Sequence, residues 1–548
     1  MKKILSLVLA LALMLSALVI TTASAADEGF VDGKFTETRH ITVEIFDRQN
    51  DGGSDPTNNV WTDYIKKQML DLYNVEVEYV AILRNGEDKL IGPALADHTA
   101  PDICYTYNNG AIENYAAMID ADGNPGIIDL APLVEEYKDY LADFIALEDD
   151  IKFLYTSQDP LTGNLWYFEG KRADVSRITT FIRKDWLDAL ELPLPTTEEE
   201  FHNCLIAFRD NAEKLLGADA DKMIPYTTST DIGWRNDLLC ASKVAEDITD
   251  ETMFVYGFDD RHMLFPGYTE GLRVLNTWYN EGLIWKDFAL HNGDTAEDDN
   301  MKAGYVGAFQ HNWDYPFRGE QESINANLMR KYGENAMFVP VDCFQNDAGI
   351  TRKYLGAAIG SDRKIFFPAT NKEPLASLLY INFISKADTI KYLQLGEEGN
   401  TYNKLDNGAY QIINVTGDWI RNAGNNIDYT ITCNGLYLGD ATAISKSLQY
   451  PDGTPAEVIA QANEYGMNNG RFPRRFSVGV IEEENDLGAT LNSMRDEVMT
   501  KAVVAPEGTF DAVLGEQMDA YLSAGGQDII DARIAKLKEI YNIDYKAE

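Results

Sequence analysis

Two of the eight tryptophans lie in short polar segments that predict loops, so no helical face gives their rings a core to fill. Trp234 stands in DIGWRND beside Arg235, and Trp313 stands in QHNWDY between Asn312 and Asp314. Flat aromatic side chains beside groups that donate and accept hydrogen bonds suit a ligand that has both apolar faces and polar groups. The five side chains are therefore candidate ligand contacts.

Further candidates lie where predicted strands end. The run ITVEIF (Ile41–Phe46) has strand character and precedes a polar loop, and APDICYTY (Ala100–Tyr107) predicts another strand. In open α/β sheets, ligands bind outside the carboxyl ends of the strands. This rule predicts ligand contacts from the side chains of Asp47, Arg48, Asn50, Tyr105 and Tyr107.

No segment has the residue pattern of a known catalytic or metal centre. The 88 Asp and Glu residues form pairs such as Asp149–Asp150 by chance, and the six histidines include no HExxH. No GxSxG segment or phosphate-binding glycine loop stands out either. We therefore predict a protein that is not an enzyme and has no metal and no cofactor. His311 follows the predicted strand up to Phe309, and a solvated loop position is favoured for it.

The charge balance limits the partners. A formal net charge of −41 excludes nucleic acid, whose affinity comes largely from Lys and Arg that neutralise phosphates. Such acidity is typical of a solvated, exported surface, and we expect a monomer. A local arginine can still bind an acidic ligand, because surface charges are screened beyond about 10 Å.

The five cysteines are odd in number and far apart, unlike the dense even sets of small disulfide-bonded proteins. Cys204 stands at helical spacing from Phe201, Leu205 and Phe208. It is therefore predicted to pack as a small apolar side chain.

The amino terminus has the pattern of a secretory signal peptide. Lys2 and Lys3 precede the apolar run Ile4–Ile20, and Ala23-Ser24-Ala25 offers a small-residue cleavage site. Residues 1–25 are therefore predicted to be removed, with the mature chain beginning near Ala26. We expect a secreted protein, extracellular or at the cell surface, and periplasmic if the host has an outer membrane.

Strands alternate with helices along the chain, which indicates an α/β fold with mostly parallel sheets. Helical spacing over Trp61–Tyr73 is followed by the alternating strand pattern of Val75–Val80. Further on, Pro195 blocks helix continuation, and Thr196 or Thr197 can cap the helix that follows. The 548 residues exceed what one hydrophobic core usually serves, so two lobes are expected.

Seven segments, in order, resemble the extracellular solute-binding protein family 1 of bacterial ABC importers, in particular its long lipoprotein-like branch. The most similar is FIRKDWLDALELPLPTTEEEFHNCLIAF, with an Arg-Lys-Asp-Trp-Leu run and a Leu-Pro-x-Pro-x-Thr-x-x-Glu-Phe run. The resemblance runs from about residue 40 to 405, and the seven segments are His98–Tyr107, Gly126–Tyr137, Phe181–Phe208, Thr277–Phe288, Met301–Phe309, Glu373–Ser385 and Leu395–Tyr402.

This resemblance implies two interwoven α/β lobes of the periplasmic-binding-protein type, with a ligand cleft and a hinge. It implies a carbohydrate ligand, permease subunits in the membrane as partners, and ligand contacts from Glu398 and Tyr402 in LGEEGNTY. The expected segments are a first lobe at 26–165, a second lobe at 166–345, a return to the first lobe at 346–410, and a C-terminal helical segment at 411–548 that packs mainly on the second lobe.

The sequence departs from the family pattern at two places. Ala26 stands where many members have a lipidated cysteine, and the first cysteine is Cys104, so no lipid is expected. Long members often carry a calcium loop where this chain has RDNAEKLLGADADKMIPYTTS. Asp219 and Asp221 are possible ligands there, but the regular series of 6–8 oxygens that calcium requires is missing.

Two other functions stay open from the sequence. The same fold can bind a peptide or another small solute, and a secreted carbohydrate-active enzyme is the third possibility.

Overall fold

A computed structural model gives the structure of the chain. It describes residues 29–546 except 49–53, 85–86, 121–122, 149–157, 160, 173–177, 260–261, 292–294, 319–322, 352–362, 405–409, 415, 422–425, 436–447, 450–452, 468–473 and 475. The predicted signal peptide lies outside the described residues. Within the described ranges, no helix combines the length and the apolar character that a membrane span requires.

The strands of the described chain are β1 (Phe30–Val31), β2 (Lys34–Phe35), β3 (Arg39–Asp47), β4 (Val75–Leu83), β5 (Cys104–Thr106), β6 (Phe168–Glu169), β7 (Lys171–Arg172), β8 (Ile178–Arg183), β9 (Ile224–Thr227), β10 (Val306–Asn312), β11 (Phe338–Val341), β12 (Lys364–Phe366), β13 (Tyr402–Lys404), β14 (Tyr410–Ile412), β15 (Cys433–Asn434) and β16 (Leu448–Gln449).

The α-helices are α1 (Val60–Tyr73), α2 (Asp88–Ala96), α3 (Asn109–Ala117), α4 (Ala131–Tyr137), α5 (Ala142–Leu147), α6 (Lys184–Ala189), α7 (Glu198–Asp210), α8 (Ala212–Leu216), α9 (Ile232–Arg235), α10 (Asp237–Ala241), α11 (Asp250–Tyr256), α12 (Tyr268–Asn280), α13 (Thr295–Ala303), α14 (Ile324–Tyr332), α15 (Pro374–Ile384), α16 (Ala387–Leu395), α17 (Ala456–Met467), α18 (Glu482–Val503), α19 (Phe510–Tyr521) and α20 (Gln527–Tyr541).

The chain forms two compact units, and each unit combines strands with helices. The first unit comprises Met1–Ala173, Gly360–Thr401 and Asn414–Gly439. The second unit comprises Asp174–Ile359, Tyr402–Ile413 and Asp440–Glu548. The chain therefore passes between the units more than once, as expected for interwoven lobes, and the α/β class is confirmed. The expectation of mostly parallel sheets is wrong, because antiparallel pairings outnumber parallel ones among the described strands. Within the expected C-terminal segment, 414–439 belongs to the first unit.

In the first unit, β3 and β4 run parallel, with Asp47 opposite Leu83 at their shared carboxyl end. Val43 of β3 also bridges Ile103 in parallel, just before β5 begins. Strand β12 pairs antiparallel with both β5 and β6. Helix α15 packs in the core of this unit, because ten of its eleven residues are buried and most of them are apolar.

In the second unit, four strands form one sheet in the order β11-β8-β10-β9. Strand β8 is antiparallel to β11 and β10, whereas β10 is parallel to β9 with Phe309 opposite Thr227. The carboxyl ends of β9 and β10 consequently meet at one edge of the sheet. Helices α7, α10, α12 and α18 supply buried side chains to the core of this unit.

Several local predictions are confirmed. The helix expected over Trp61–Tyr73 is α1, and the alternating run from Val75 is β4. Thr197 caps α7, since its hydroxyl accepts a hydrogen bond of 3.1 Å from the backbone N–H of Glu200. Cys204 lies in the core of the second unit, as its spacing predicted, and burial raises the pKa of its thiol to about 11.

Candidate functional site

Three parallel strands of the first unit end in polar residues. Arg48 follows β3, Arg84 follows β4 and Tyr107 follows β5. Asp47, predicted to open a loop, is instead the last residue of β3 and is half-buried. The strand-end rule therefore placed Asp47, Arg48 and Tyr107 at a common edge, whereas Arg84 was not singled out.

Two arginines of the first unit share one buried carboxylate. Arg48 donates to Asp428 through two nitrogens, with Nε–Oδ2 at 2.6 Å and Nη2–Oδ1 at 2.9 Å. Nη2 of Arg363 lies 3.6 Å from the same Oδ1, and both Arg363 and Asp428 are fully buried. Burial lowers the pKa of Arg48, but the hydrogen bond and charge of Asp428 outweigh it, so the pKa lies above its ordinary value. The pair fixes the end of β3 to a segment far along the chain.

The two tyrosines at the end of β5 differ in exposure. Tyr107 is half-buried, and its hydroxyl accepts a hydrogen bond of 2.9 Å from Nε of Arg363. Its ring stacks with Phe46 at a centroid distance of 6.1 Å. Tyr105 is fully buried, and its hydroxyl accepts a bond of 3.2 Å from the N–H of Phe46. Tyr105 thus packs beneath the strand ends, whereas Tyr107 is partly exposed at them.

A buried carboxyl lies on β3 below this edge. Glu44 is fully buried, and its Oε2 accepts a bond of 3.1 Å from the backbone N–H of Tyr105. Burial raises the pKa of Glu44 well above its ordinary value, and the nearby charge of Glu87 adds to this effect. Glu44 therefore keeps its proton to a higher pH in the folded chain than an exposed glutamate does.

In the second unit, Arg235 forms a buried ion pair and does not lie in an open loop. It closes the short helix α9 and pairs with Glu297, and both side chains are about 1% exposed. Its Nε donates to the backbone oxygen of Gln310 at 2.8 Å, while Glu297 also accepts from the hydroxyl of Thr227 at 2.9 Å. Arg235 thereby ties α9 and α13 to the ends of β9 and β10, which corrects the loop placement expected for it.

Three aromatic rings lie together in the second unit. The half-buried Trp234 meets His311 edge-on at a centroid distance of 4.9 Å, and His311 stacks on Tyr315. The hydroxyl of Tyr315 donates to Asp298 at 2.6 Å. The solvated loop position favoured for His311 is wrong, because His311 lies inside β10 and is only 3% exposed. Trp234 lies in helix α9 rather than in a loop, and its ring is half-buried. Its ligand contact stays a prediction.

Trp313 has more core around it than its polar neighbours suggested. It is 6% exposed and packs in a cluster that includes Phe309 and Phe317. Asn312 is the last residue of β10 and half-buried, and Asp314 pairs with Arg318 at 2.7 Å. The interpretation of Trp313 as a loop aromatic without a core is therefore wrong.

The side-chain amide of Gln310, which directly precedes His311 in β10, is fully buried. Within the described part of the chain, neither amide atom of Gln310 has a hydrogen-bond partner, and the same is true of the hydroxyl of Thr180. The two residues face each other in the antiparallel pairing of β10 and β8. Buried polar groups are seldom left without a bond, so this pair is a candidate for ligand contact. The sequence signal for it is a glutamine inside the apolar strand VGAFQHN.

Solved structures of sugar-binding proteins share the fold over nearly all of this chain. An HMO-binding, ABC-transporter-associated solute-binding protein from Bifidobacterium longum infantis is 14% identical, with 91% of this chain and 99% of that chain covered and a TM-score of 0.60. The substrate-binding protein FusA of an S. pneumoniae ABC transporter, solved with kestose, is 15% identical, with 92% and 100% covered and a TM-score of 0.61. Alginate-binding protein AlgQ2, solved without calcium, is 16% identical, with 91% and 98% covered and a TM-score of 0.58.

The chain has the fold of ABC-transporter solute-binding proteins. No protein-family model matches it, and no curated protein matches it in sequence. The resemblance noted in the sequence is thus confirmed at the level of the fold, which the short ordered segments from His98 to Tyr402 were enough to indicate.

The sequence predicts three further ligand contacts. Asn50 is outside the described residues. Glu398 is exposed in the first unit, and Tyr402 opens β13 in the second unit, where it is 4% exposed with its ring 5.6 Å from that of Tyr410. Their ligand contacts remain predictions.

Within the segment compared with a calcium loop, Asp219 and Asp221 lie in a short 3₁₀ helix, Gly217–Lys222. Lys222 pairs with Asp219 at 2.8 Å. Across the described residues, no group of three or more His, Cys, Asp or Glu side chains has the arrangement of a metal site.

Proposed function

We propose that this chain is the extracellular substrate-binding subunit of an ABC importer, and that it binds an oligosaccharide or related carbohydrate and delivers it to a membrane permease. The observation that carries the proposal is the likeness of fold over 91–92% of the chain and 98–100% of each compared structure. Of these proteins, one binds HMO, one binds alginate and one was solved in complex with kestose.

The strand ends of each unit support a carbohydrate ligand. Tyr107 and Arg48 in the first unit, and Trp234 with Asn312 in the second, combine half-buried aromatic rings with polar groups. Ring faces and hydroxyls of a sugar match such a combination. We propose these four residues as the first to be tested.

A thermal-shift screen of the mature chain against neutral and charged oligosaccharides tests the proposal, with a peptide panel as the comparison. A ligand at 100 times its dissociation constant adds about 2.7 kcal/mol to the free energy of unfolding. Stabilisation by an oligosaccharide alone is the expected result. Stabilisation by peptides alone would replace the carbohydrate by a peptide ligand within the same fold.

Incubation of each hit with the protein, followed by mass spectrometry, separates a receptor from a secreted carbohydrate-active enzyme. We expect the oligosaccharide to be recovered intact. Turnover would contradict the assignment as a non-enzymatic receptor.

We infer export with an unmodified amino terminus near Ala26. The mass of the protein secreted by its host measures this directly. A diacylglyceryl mass would contradict it.

Delivery to a permease predicts that deletion of the gene abolishes uptake of the bound oligosaccharide, and that the intact gene restores it.

A further inference from the structure

Three guanidinium groups surround two aromatic rings at the carboxyl edge of the first unit. Cζ of Arg48 lies 5.8 Å from the centroid of Phe46, and Cζ of Arg363 lies 5.5 Å from that of Tyr107. Arg84 contacts both rings, at 5.1 Å from Phe46 and 4.6 Å from Tyr107. We name Arg48, Arg84 and Arg363 the arginine cluster.

Arg84 differs from the other two members of the arginine cluster. Arg48 and Arg363 are engaged with Asp428, whereas the guanidinium of Arg84 donates no hydrogen bond to any described residue. Its nearest carboxylate is that of Glu87, at 3.6 Å, and its side chain is 33% exposed. A guanidinium carries five N–H donors, so Arg84 offers donors to a ligand at the strand ends.

The net formal charge of the edge does not favour an anionic ligand, because Asp47, Glu87 and Asp428 balance the three arginines. The preference for an anion comes instead from the N–H donors that Arg84 offers. A guanidinium is planar and matches a carboxylate or sulfate group with two parallel hydrogen bonds. Stacking on Phe46 and Tyr107 holds the plane of Arg84 in place and removes part of its hydration, which strengthens the attraction to an anion.

We propose that the ligand is an anionic oligosaccharide, whose carboxylate or sulfate group binds the guanidinium of Arg84 while a ring of the sugar lies against Tyr107. This inference rests on the proposed carbohydrate-binding function and adds the charge of the ligand. The strongly acidic surface does not oppose it, because the surface field is screened beyond about 10 Å whereas Arg84 acts at contact distance.

The experiment uses matched probes and isothermal titration calorimetry on the mature chain. The probes are uronic acid oligomers with their carboxyl-reduced neutral counterparts, and sulfated oligosaccharides with their desulfated counterparts. We expect the best binder to be charged and its neutral counterpart to bind at least about tenfold more weakly, because hydrogen bonds between charged groups are stronger than those between neutral groups. The carboxylate and sulfate arms identify which anion is bound.

Arg84→Gln should weaken binding of the charged probe at least about tenfold, and Arg84→Lys should weaken it less because the charge is retained. The matched control is Arg39→Gln at the opposite end of β3. Arg39 also stacks on a phenylalanine, at 5.1 Å from Phe35, and pairs with a glutamate, at 3.4 Å from Glu373. Its replacement should leave binding unchanged.

Two results would overturn the anionic ligand while leaving the receptor function intact. One is a neutral probe as the best binder. The other is an Arg84→Gln variant that binds charged and neutral probes with the same loss, which would make Arg84 a packing residue. Failure of every oligosaccharide to bind would instead contradict the proposed function itself.

Discussion

At the scale of single residues, the described chain leaves a few buried polar groups without a partner, and Gln310 is the clearest of them. Its amide could have been replaced by an apolar side chain at no loss of internal hydrogen bonds, because the described structure gives it none. A group of this kind lowers stability when it is buried unsatisfied and is retained where binding needs it.

Gln310→Met tests this. We expect the free energy of unfolding in urea to stay the same or rise, because a methionine of similar volume removes the unsatisfied amide. Affinity for the best oligosaccharide should fall about three- to tenfold, the worth of one neutral hydrogen bond. The control is Gln345→Met at an exposed position. A loss of stability with unchanged affinity would show that Gln310 serves the fold.

Glu44→Gln tests the buried carboxyl on β3. Since burial raises the folded-state pKa of Glu44 above the ordinary 4.5, the folded chain holds this proton more tightly than the unfolded chain does. The stability that Glu44 contributes is therefore present below about pH 4.5 and is lost as pH rises towards the folded pKa.

We expect the unfolding free energy of Glu44→Gln relative to the wild type to rise with pH over that window, by at most about 1.4 kcal/mol per pH unit. Urea denaturation from about pH 4.5 to about pH 8 measures it. A difference that is independent of pH would mean that Glu44 is ionised in the folded chain throughout.

At the scale of elements, sequence patterns predicted what depends on neighbours along the chain. The cap at Thr197 and the strand-end positions of Arg48 and Tyr107 follow from local rules, and the structure has them. The surroundings of Trp313 and Arg235 do not follow, because polar neighbours in sequence say nothing about the apolar and charged groups that other elements bring. The polar neighbours Asn312 and Asp314 gave no indication of the apolar cluster, including Phe317, that packs around Trp313.

Trp313→Ala should therefore be costly to the second unit, in contrast to what the sequence suggested. Removing a buried tryptophan from a core lowers the free energy of unfolding by about 3–5 kcal/mol. Trp234→Ala is the matched comparison, because this ring is only half-buried and should lose less stability. Thermal unfolding and calorimetry on both variants measure stability and affinity together. Equal stability losses would contradict the burial argument.

At the scale of the whole molecule, the fold could be recognised from the sequence because several segments resemble those of solute-binding proteins and occur in the same order along the chain. The site could be found only in part. Arg48 and Asp428 stand 380 positions apart, and Arg363 joins them from a third segment, so no local pattern connects them. Arg84 likewise becomes notable only once its free donors and its two ring contacts are seen together.

The reactivity of the five cysteines can report which part of the chain unfolds. All five are buried and form no disulfide in the described structure, and burial raises the pKa of Cys104, Cys204 and Cys240, so the reactive thiolate is suppressed in the folded chain. Cys104 and Cys433 belong to the first unit, and Cys204, Cys240 and Cys343 to the second.

A maleimide reagent should therefore leave the native chain unmodified and label it only as a unit opens. Peptide mapping during a urea titration would then read the two units separately, without any engineered probe. Saturating ligand should delay labelling in whichever unit it contacts. Rapid labelling of all five thiols in the absence of denaturant would contradict their burial.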